Sequence, residues 1–295
     1  MHMDLKEVLK QVRKIELVNR VLVENMLQGA YRSRFRGQGM EFADVREYVE
    51  GDDVRNIDWN VTARTNVAHV KQFQEEREMT LMLLLDASAS VDFGTVNRLK
   101  RQMAIEFCAS LAFSAIQNND RVGLILFTDR IEHYCPPGKG RAHVLRLIRD
   151  MIYFEPRSQG TDLNCGLEFL NHIVKKRCTA FLISDFLSEI DFEQKLRLAN
   201  YRHDVFAVVM VDRREREMPN IGLVELEDPE SGRRVVIDTT TREARRRFKQ
   251  LTAQHRERLQ AMLNRCRVDT VALDTSRSYI DTIVSFFRQA RRRRR

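Results

Sequence analysis

Three short stretches of this chain carry residue types that could hold a hard metal ion. They are Asp86-Ala87-Ser88-Ala89-Ser90, Gly160-Thr161-Asp162 and Ser184-Asp185. Together they offer hydroxyls from Ser88, Ser90 and Thr161 and carboxylates from Asp86 and Asp185. Every donor is an oxygen. Such a set suits Mg²⁺ or Mn²⁺, which prefer octahedral oxygen sites and retain waters, whereas Zn²⁺ favours nitrogen and sulfur. Taken alone, each residue is better explained as a helix cap, because Ser, Thr and Asp after a strand satisfy free N–H groups. The metal reading rests on all five falling at the ends of expected strands.

The hydrophobic pattern supplies the elements that must position them. Residues 80–85 form an apolar run ending in Asp86, as expected of a strand buried on both faces. A helix at 95–118 follows, with Leu99, Met103, Phe107 and Leu111 on one side. Residues 122–127 are the next buried strand, and 131–135 a short edge strand closed by Pro136 and Pro137. Helices are expected at 141–153 and 162–176, a strand at 179–183, a helix at 190–201 and a strand at 205–211. Residues 222–226 and 233–237 flank DPESG and read as a hairpin. A basic helix at 241–266, a strand at 268–273 and a helix at 278–290 follow. Strands alternating with helices predict an α/β fold: a doubly wound, mostly parallel, Rossmann-like sheet. In such sheets ligands bind beyond the carboxyl ends of the strands, where strand order reverses.

Ahead of the sheet, 4–27 reads as a helix with Leu5, Val8, Leu9, Val12 and Ile15 on one apolar face. Residues 28–78 mix Gly, Arg and aromatics with dense charge, and predict loops and short strands. Within them Asp52, Asp53 and Asp58 could hold a second metal, but Arg46, Arg55 and Arg64 are interleaved. Pairing into a partly buried charge network is the simpler reading. A surface for a partner is the other one. Trp59, the single tryptophan, is the expected anchor of this segment on the sheet domain.

Composition narrows the function classes. With 295 residues, 43% hydrophobic and 31% charged, the chain can fill a core, which excludes a disordered protein. No apolar run approaches the roughly 20 residues that span a bilayer. The N-terminal MHMDLKEVLKQVRK is too charged for a secretory signal, so a cytoplasmic location is expected. The formal charge is +8, but six arginines stand between Arg288 and Arg295; +8 less six leaves +2 for the body. Basicity therefore argues for nucleic acid mainly through the tail. Five cysteines with no C-x-x-C pair fit reduced thiols, not a disulfide frame or zinc ribbon. His133 and Cys135 are the nearest approach to a soft-metal pair, and two ordinary strand or loop residues is the simpler reading.

No catalytic set assembles. An aspartyl-phosphate phosphatase needs a second acid two residues after its nucleophile, and Ser88 stands there. A receiver domain wants a lysine after a late strand, where Asp212 and Arg213 follow. Neither G-x-x-x-x-G-K-[ST] nor G-x-S-x-G is present. What remains is a metal with an open coordination position for a carboxylate of another protein.

The D-x-S-x-S stretch, the later Gly-Thr-Asp and Ser-Asp after the next strand resemble the metal-ion-dependent adhesion site of von Willebrand factor A domains. By that resemblance Ser88, Ser90 and Thr161 are hydroxyl ligands, and Asp86 and Asp185 hold the metal largely through water. Gly39-Met40-Glu41-Phe42, Arg46-Glu47-Tyr48, Gly51-Asp52-Asp53, Arg55-Asn56-Ile57-Asp58-Trp59 and Ala63-Arg64 resemble the signature of bacterial domain-of-unknown-function family 58. The resemblance covers about 28–285. Ser90-Val91-Asp92 departs from it, since many such sites place Met after the second Ser. It implies an N-terminal helix and docking segment at 1–78, a von Willebrand factor A-like domain at 79–290 and a basic tail at 291–295. It also implies a non-enzymatic, metal-dependent protein-interaction module. Its partners would be a MoxR-type AAA+ ATPase and client proteins offering a carboxylate, in chaperone-like maturation or assembly. The alternative is a nucleic-acid-binding or metal-dependent nucleic-acid-processing protein that uses the arginine tail. For the run from Arg291 to Arg295, a solvated end and contact with an anionic surface are both open; specific nucleic acid is not favoured, because no aromatic is interleaved to stack on bases.

Overall fold

The structure is a computed structural model and describes residues 41–74, 78–94, 99–188, 191–227 and 232–292. The helix expected at 4–27 and the Gly39-Met40 end of the family signature lie outside the described residues. The chain divides into two compact units, one within 35–79 and one from Thr80 onward.

In the smaller unit, β1 (Glu41–Glu47) pairs antiparallel with β2 (His69–Gln74). Between them stand a 3₁₀ turn (Val54–Asn56) and α1 (Trp59–Thr65). The acids of this segment are spent on local structure. Asp53 caps the 3₁₀ turn, and Asp58 caps α1 by accepting from the N–H groups of Asn60 and Val61 at 3.0 and 3.2 Å. Asp52 takes both ends of the Arg46 guanidinium, at 2.7 and 2.6 Å. That pair holds the carboxyl of Asp52 below its ordinary range. With each acid so engaged, the second-metal reading has no convergent carboxylates to rest on. Trp59 is 70% exposed.

The larger unit holds a six-stranded sheet in the order β10-β7-β6-β3-β4-β5. Its strands are β3 (Thr80–Asp86), β4 (Arg121–Phe127), β5 (Ile131–Gly138), β6 (Thr179–Ser184), β7 (Asp204–Val211) and β10 (Asp269–Asp274). All neighbours are parallel except β4 and β5. The helices between them are α2 (Lys100–Gln117), α3 (Arg141–Tyr153), α4 (Leu163–Ile173), α5 (Glu193–Arg202), the single turn α6 (Arg213–Arg216), α7 (Arg242–Arg265) and α8 (Tyr279–Arg292). A separate hairpin joins β8 (Leu223–Glu227) to β9 (Arg234–Asp238). The expected α/β, doubly wound sheet is therefore present.

Strand alternation builds a core on each face. Met82 and Leu84 of β3 pack with Leu163, Leu167, Leu196 and Leu263 of the helices on one side. On the other, Phe107 of α2 meets Phe181 edge-on at 6.2 Å, and Phe181 stacks on Phe206 at 5.0 Å. Three differences from the sequence reading have local causes. Pro136 and Pro137 lie inside β5 instead of closing it; at a sheet edge a missing N–H costs no ladder bond on the open side. In α2 it is Lys100 that is buried, while Leu99 is 45% exposed. The last helix runs into the arginine run, through Arg292.

Candidate functional site

Chain order makes the site. From β3 the chain moves to β4 and β5 on one side; it then returns to β6 on the other side of β3 and continues to β7. The loops after β3 and β6 diverge, which leaves a crevice at the carboxyl ends of two adjacent strands. Asp86 ends β3 and Asp185 follows β6.

Asp86 is fully buried, and its oxygens are committed to neutral donors. Ser88 N–H donates to Oδ1 at 2.9 Å, and Ser184 Oγ donates to Oδ2 at 2.6 Å. The hydroxyls of Ser88 and Ser90 lie 3.0 Å apart. Thr161 precedes Asp162, which caps α4 by accepting from Asn164 N–H. The segment before α4 is tied to both loops: Ala89 N–H donates to the Gln159 carbonyl at 3.1 Å, and Ser188 Oγ donates to the Thr161 carbonyl at 3.2 Å. Glu132 of β5 holds the approach to this loop by accepting from Arg157 and Ser158 N–H at 3.2 and 3.1 Å. Asp86, Ser88, Ser90, Thr161 and Asp185 are all buried. They sit on the loops after β3 and β6 and before α4. Of the five, Ser88 stands at the N-cap of a 3₁₀ turn over 89–92 but makes no side-chain cap bond there, and α4 is capped by Asp162 and not by Thr161.

Three contributors were missed. Ser184 was noted only as the neighbour of Asp185, yet it is the hydroxyl that grips Asp86. Lys100 has its ammonium 2.9 Å from Asp185 Oδ2 and 3.2 Å from the Ser90 carbonyl, and it also pairs with Glu215 of α6. Its side chain is wholly inaccessible. The available signal was phase: Lys100 stands three and four residues before Met103 and Ala104, on the buried stripe of α2.

Electrostatics follow from this burial. Burial pushes Asp86 up to about 7, and the negative charge of Asp185 adds to the shift. Burial alone would lower Lys100, but the charges of Asp185 and Glu215 outweigh it and hold the ammonium above its ordinary value. Lys100 thus neutralises the Asp185 side of the crevice. Asp86 faces no such cation. Two buried carboxylates with hydroxyls and one ammonium leave an excess of negative charge, and a divalent cation with oxygen preferences fits that donor set. Among the described residues no group of three or more His, Cys, Asp or Glu could hold an ion, so hydroxyls would have to complete the shell.

The β6 loop is strained. Phe186, next to Asp185, has φ 57° although its side chain is large and buried. Ser184 Oγ accepts from its N–H at 3.0 Å, and His255 of α7 contacts its carbonyl at 3.1 Å. Such conformations cost of order 1–3 kcal/mol and persist where surrounding contacts fix them.

The uncharacterized protein Rv1480 of Mycobacterium tuberculosis is 33% identical over 285 residues, 95% of this chain and 89% of that protein. Among solved structures, the conserved hypothetical protein BatB from Bacteroides thetaiotaomicron covers 72% of this chain and 99% of its own, at 16% identity and a TM-score of 0.48. Proximal thread matrix protein 1 from the mussel byssus, solved with a zinc-occupied MIDAS motif, covers 45% of this chain and 38% of its own, at 16% identity and a TM-score of 0.37. No described helix is long and apolar enough to cross a membrane. The sequence matches the family described as protein of unknown function DUF58 over residues 44–258, so the chain belongs to the DUF58 family.

Proposed function

We propose that this chain is a non-enzymatic, metal-dependent protein-interaction module. The supporting observation is the crevice between β3 and β6, where the buried carboxylates of Asp86 and Asp185 meet the hydroxyls of Ser88 and Ser90 and only Asp185 has a cationic partner. Mg²⁺ or Mn²⁺ would be held by Asp86, Ser88, Ser90, Thr161 and Asp185. When bound, such an ion supplies an electrophilic position that a carboxylate of another protein can fill. The chain's own residues fix that geometry: Ser184 orients Asp86, and Lys100 orients Asp185. The partners we favour are a MoxR-type AAA+ ATPase and its client proteins, in chaperone-like maturation or assembly in the cytoplasm. The arginine run from Arg291 would add contact with an anionic surface.

The test has two arms. Calorimetry with Mn²⁺ should show binding to the full chain and none to Asp86→Ala, whose far-UV spectrum should be unchanged. Affinity capture with a purified MoxR-type ATPase should be lost on adding EDTA and in Asp86→Ala. Unchanged Mn²⁺ binding in the variant removes the site, and EDTA-insensitive capture removes the metal's role.

A further inference from the structure

Beside the crevice, a cavity opens on the same carboxyl-end side of the sheet, between the ends of β7 and β10, the turn α6 and the long helix α7. Its volume is about 810 Å³, within the roughly 300–1,000 Å³ of small-ligand clefts. Leu187, Val209, Phe248, Leu251 and Leu259 give it apolar walls. Leu251 stands 57% exposed on α7, an apolar side chain at the wall of an open cavity.

The charges around those walls do not cancel. Every carboxylate on the lining already has a cation. Asp185 and Glu215 share Lys100, Glu217 pairs with Lys249 at 2.8 Å, and Asp274 pairs with Arg216 at 3.3 Å. Three arginines remain. Arg256 and Arg277 form no ion pair among the described residues, and Arg213 acts on Glu217 only at longer range. Guanidinium groups present several donors in a fixed fork and bind carboxylate or phosphate in two-point fashion. All three are exposed and hydrated, so an uncharged apolar ligand would gain nothing from them, and an ion without an apolar body would leave the walls wet.

We propose that this cavity binds an amphipathic anion: one carboxylate or phosphate head among Arg213, Arg256 and Arg277, with an apolar body against Val209, Leu187 and Phe248. Asp185 lines both this cavity and the metal crevice, but the head and body contacts proposed here use other residues, so the test does not depend on the function proposed above.

The test uses the full chain with anilinonaphthalene sulfonate as fluorescent reporter and dodecanoate, dodecyl phosphate and dodecanol as competitors. The reporter should bind at a single site. At least one anion should displace it, while dodecanol at equal concentration should not. The tighter of the two anions identifies the head group. The double variant Arg256→Ala/Arg277→Ala should weaken that displacement by about tenfold or more, as expected for loss of charge-assisted bonds. Ala253→Trp, on the α7 wall, should block binding by filling the volume. Far-UV spectra and thermal unfolding of each variant establish that it is folded; should the Trp variant fail to fold, the arginine pair alone decides. Equal displacement by dodecanol, no displacement by either anion, or wild-type behaviour of the arginine variant would overturn the proposal.

Discussion

Ser184 Oγ donates to Asp86 Oδ2 at 2.6 Å, and this bond joins the ends of two adjacent parallel strands. The same oxygen accepts from Phe186 N–H, so one hydroxyl fixes a buried carboxylate and the strained turn beyond it.

Removing that hydroxyl should be felt twice. Ser184→Ala is expected to lower stability by about 1.5–3 kcal/mol, the usual worth of a hydrogen bond to a charged group. It should also weaken Mn²⁺ binding without abolishing it, because all five proposed ligands remain. Urea unfolding and calorimetry on the same sample check both. A stable variant with intact affinity would show that Asp86 needs no such support.

Lys100 is a sharper case. Lys100→Met leaves Asp185 and Glu215 without their shared ammonium, and breaking a buried pair from one side costs about 3–5 kcal/mol. The combined variant Lys100→Met/Asp185→Asn/Glu215→Gln should recover most of that loss. Chemical denaturation of the two proteins decides the matter. If the triple variant is no more stable than the single one, packing of the lysine stem and not charge is what Lys100 supplies.

His203 should impose a pH dependence. It is almost wholly buried, its Nδ1 lies 3.4 Å from Cys178 Sγ, and its Nε2 has no hydrogen-bond partner. Burial lowers its pKa from 6.5; Arg202 and Arg177 lower it further, and Asp204 opposes them. A histidine kept neutral in the folded state contributes stability above the unfolded value, and that contribution is lost as pH falls from there toward the folded value. Wild type should therefore lose more stability than His203→Gln between about pH 7.5 and about pH 5.5. Parallel losses in denaturant titrations would assign the effect to other groups.

Asp58→Ala should cost about 1 kcal/mol, as for an N-cap that satisfies helix N–H groups. The loss should fall on the 41–74 unit and leave Mn²⁺ binding unchanged. Amide exchange at Asn60 and Val61 reports it directly, and unaltered protection there would show that the cap is redundant.

Much of the fold was legible because strand burial wrote itself as continuous apolar runs. The run at 80–85 could hardly be other than a central strand, and it places Asp86 at the carboxyl end of β3. Asp185 was found in the same way after β6. The rest depended on tertiary partners. Nothing near Lys100 in the chain announces Asp185 or Glu215, which arrive from distant elements, so the lysine did not stand out as a site residue. The acids at 52, 53 and 58 were read as one network, whereas two of them are caps whose partners lie within three residues.

The two prolines in β5 have a consequence for polymer growth. β5 is the outermost strand on its side of the sheet, and of any two consecutive strand residues one presents its backbone groups outward. The ladder to β4 is irregular between Cys135 and Gly138, and neither Pro136 nor Pro137 in that stretch has an N–H to offer. A neighbouring chain adding a strand there would meet a gap in the ladder, so end-to-end templating into fibres is disfavoured along this stretch of the border by covalent structure. Among the described strands, β10 is the edge of this sheet that carries no proline.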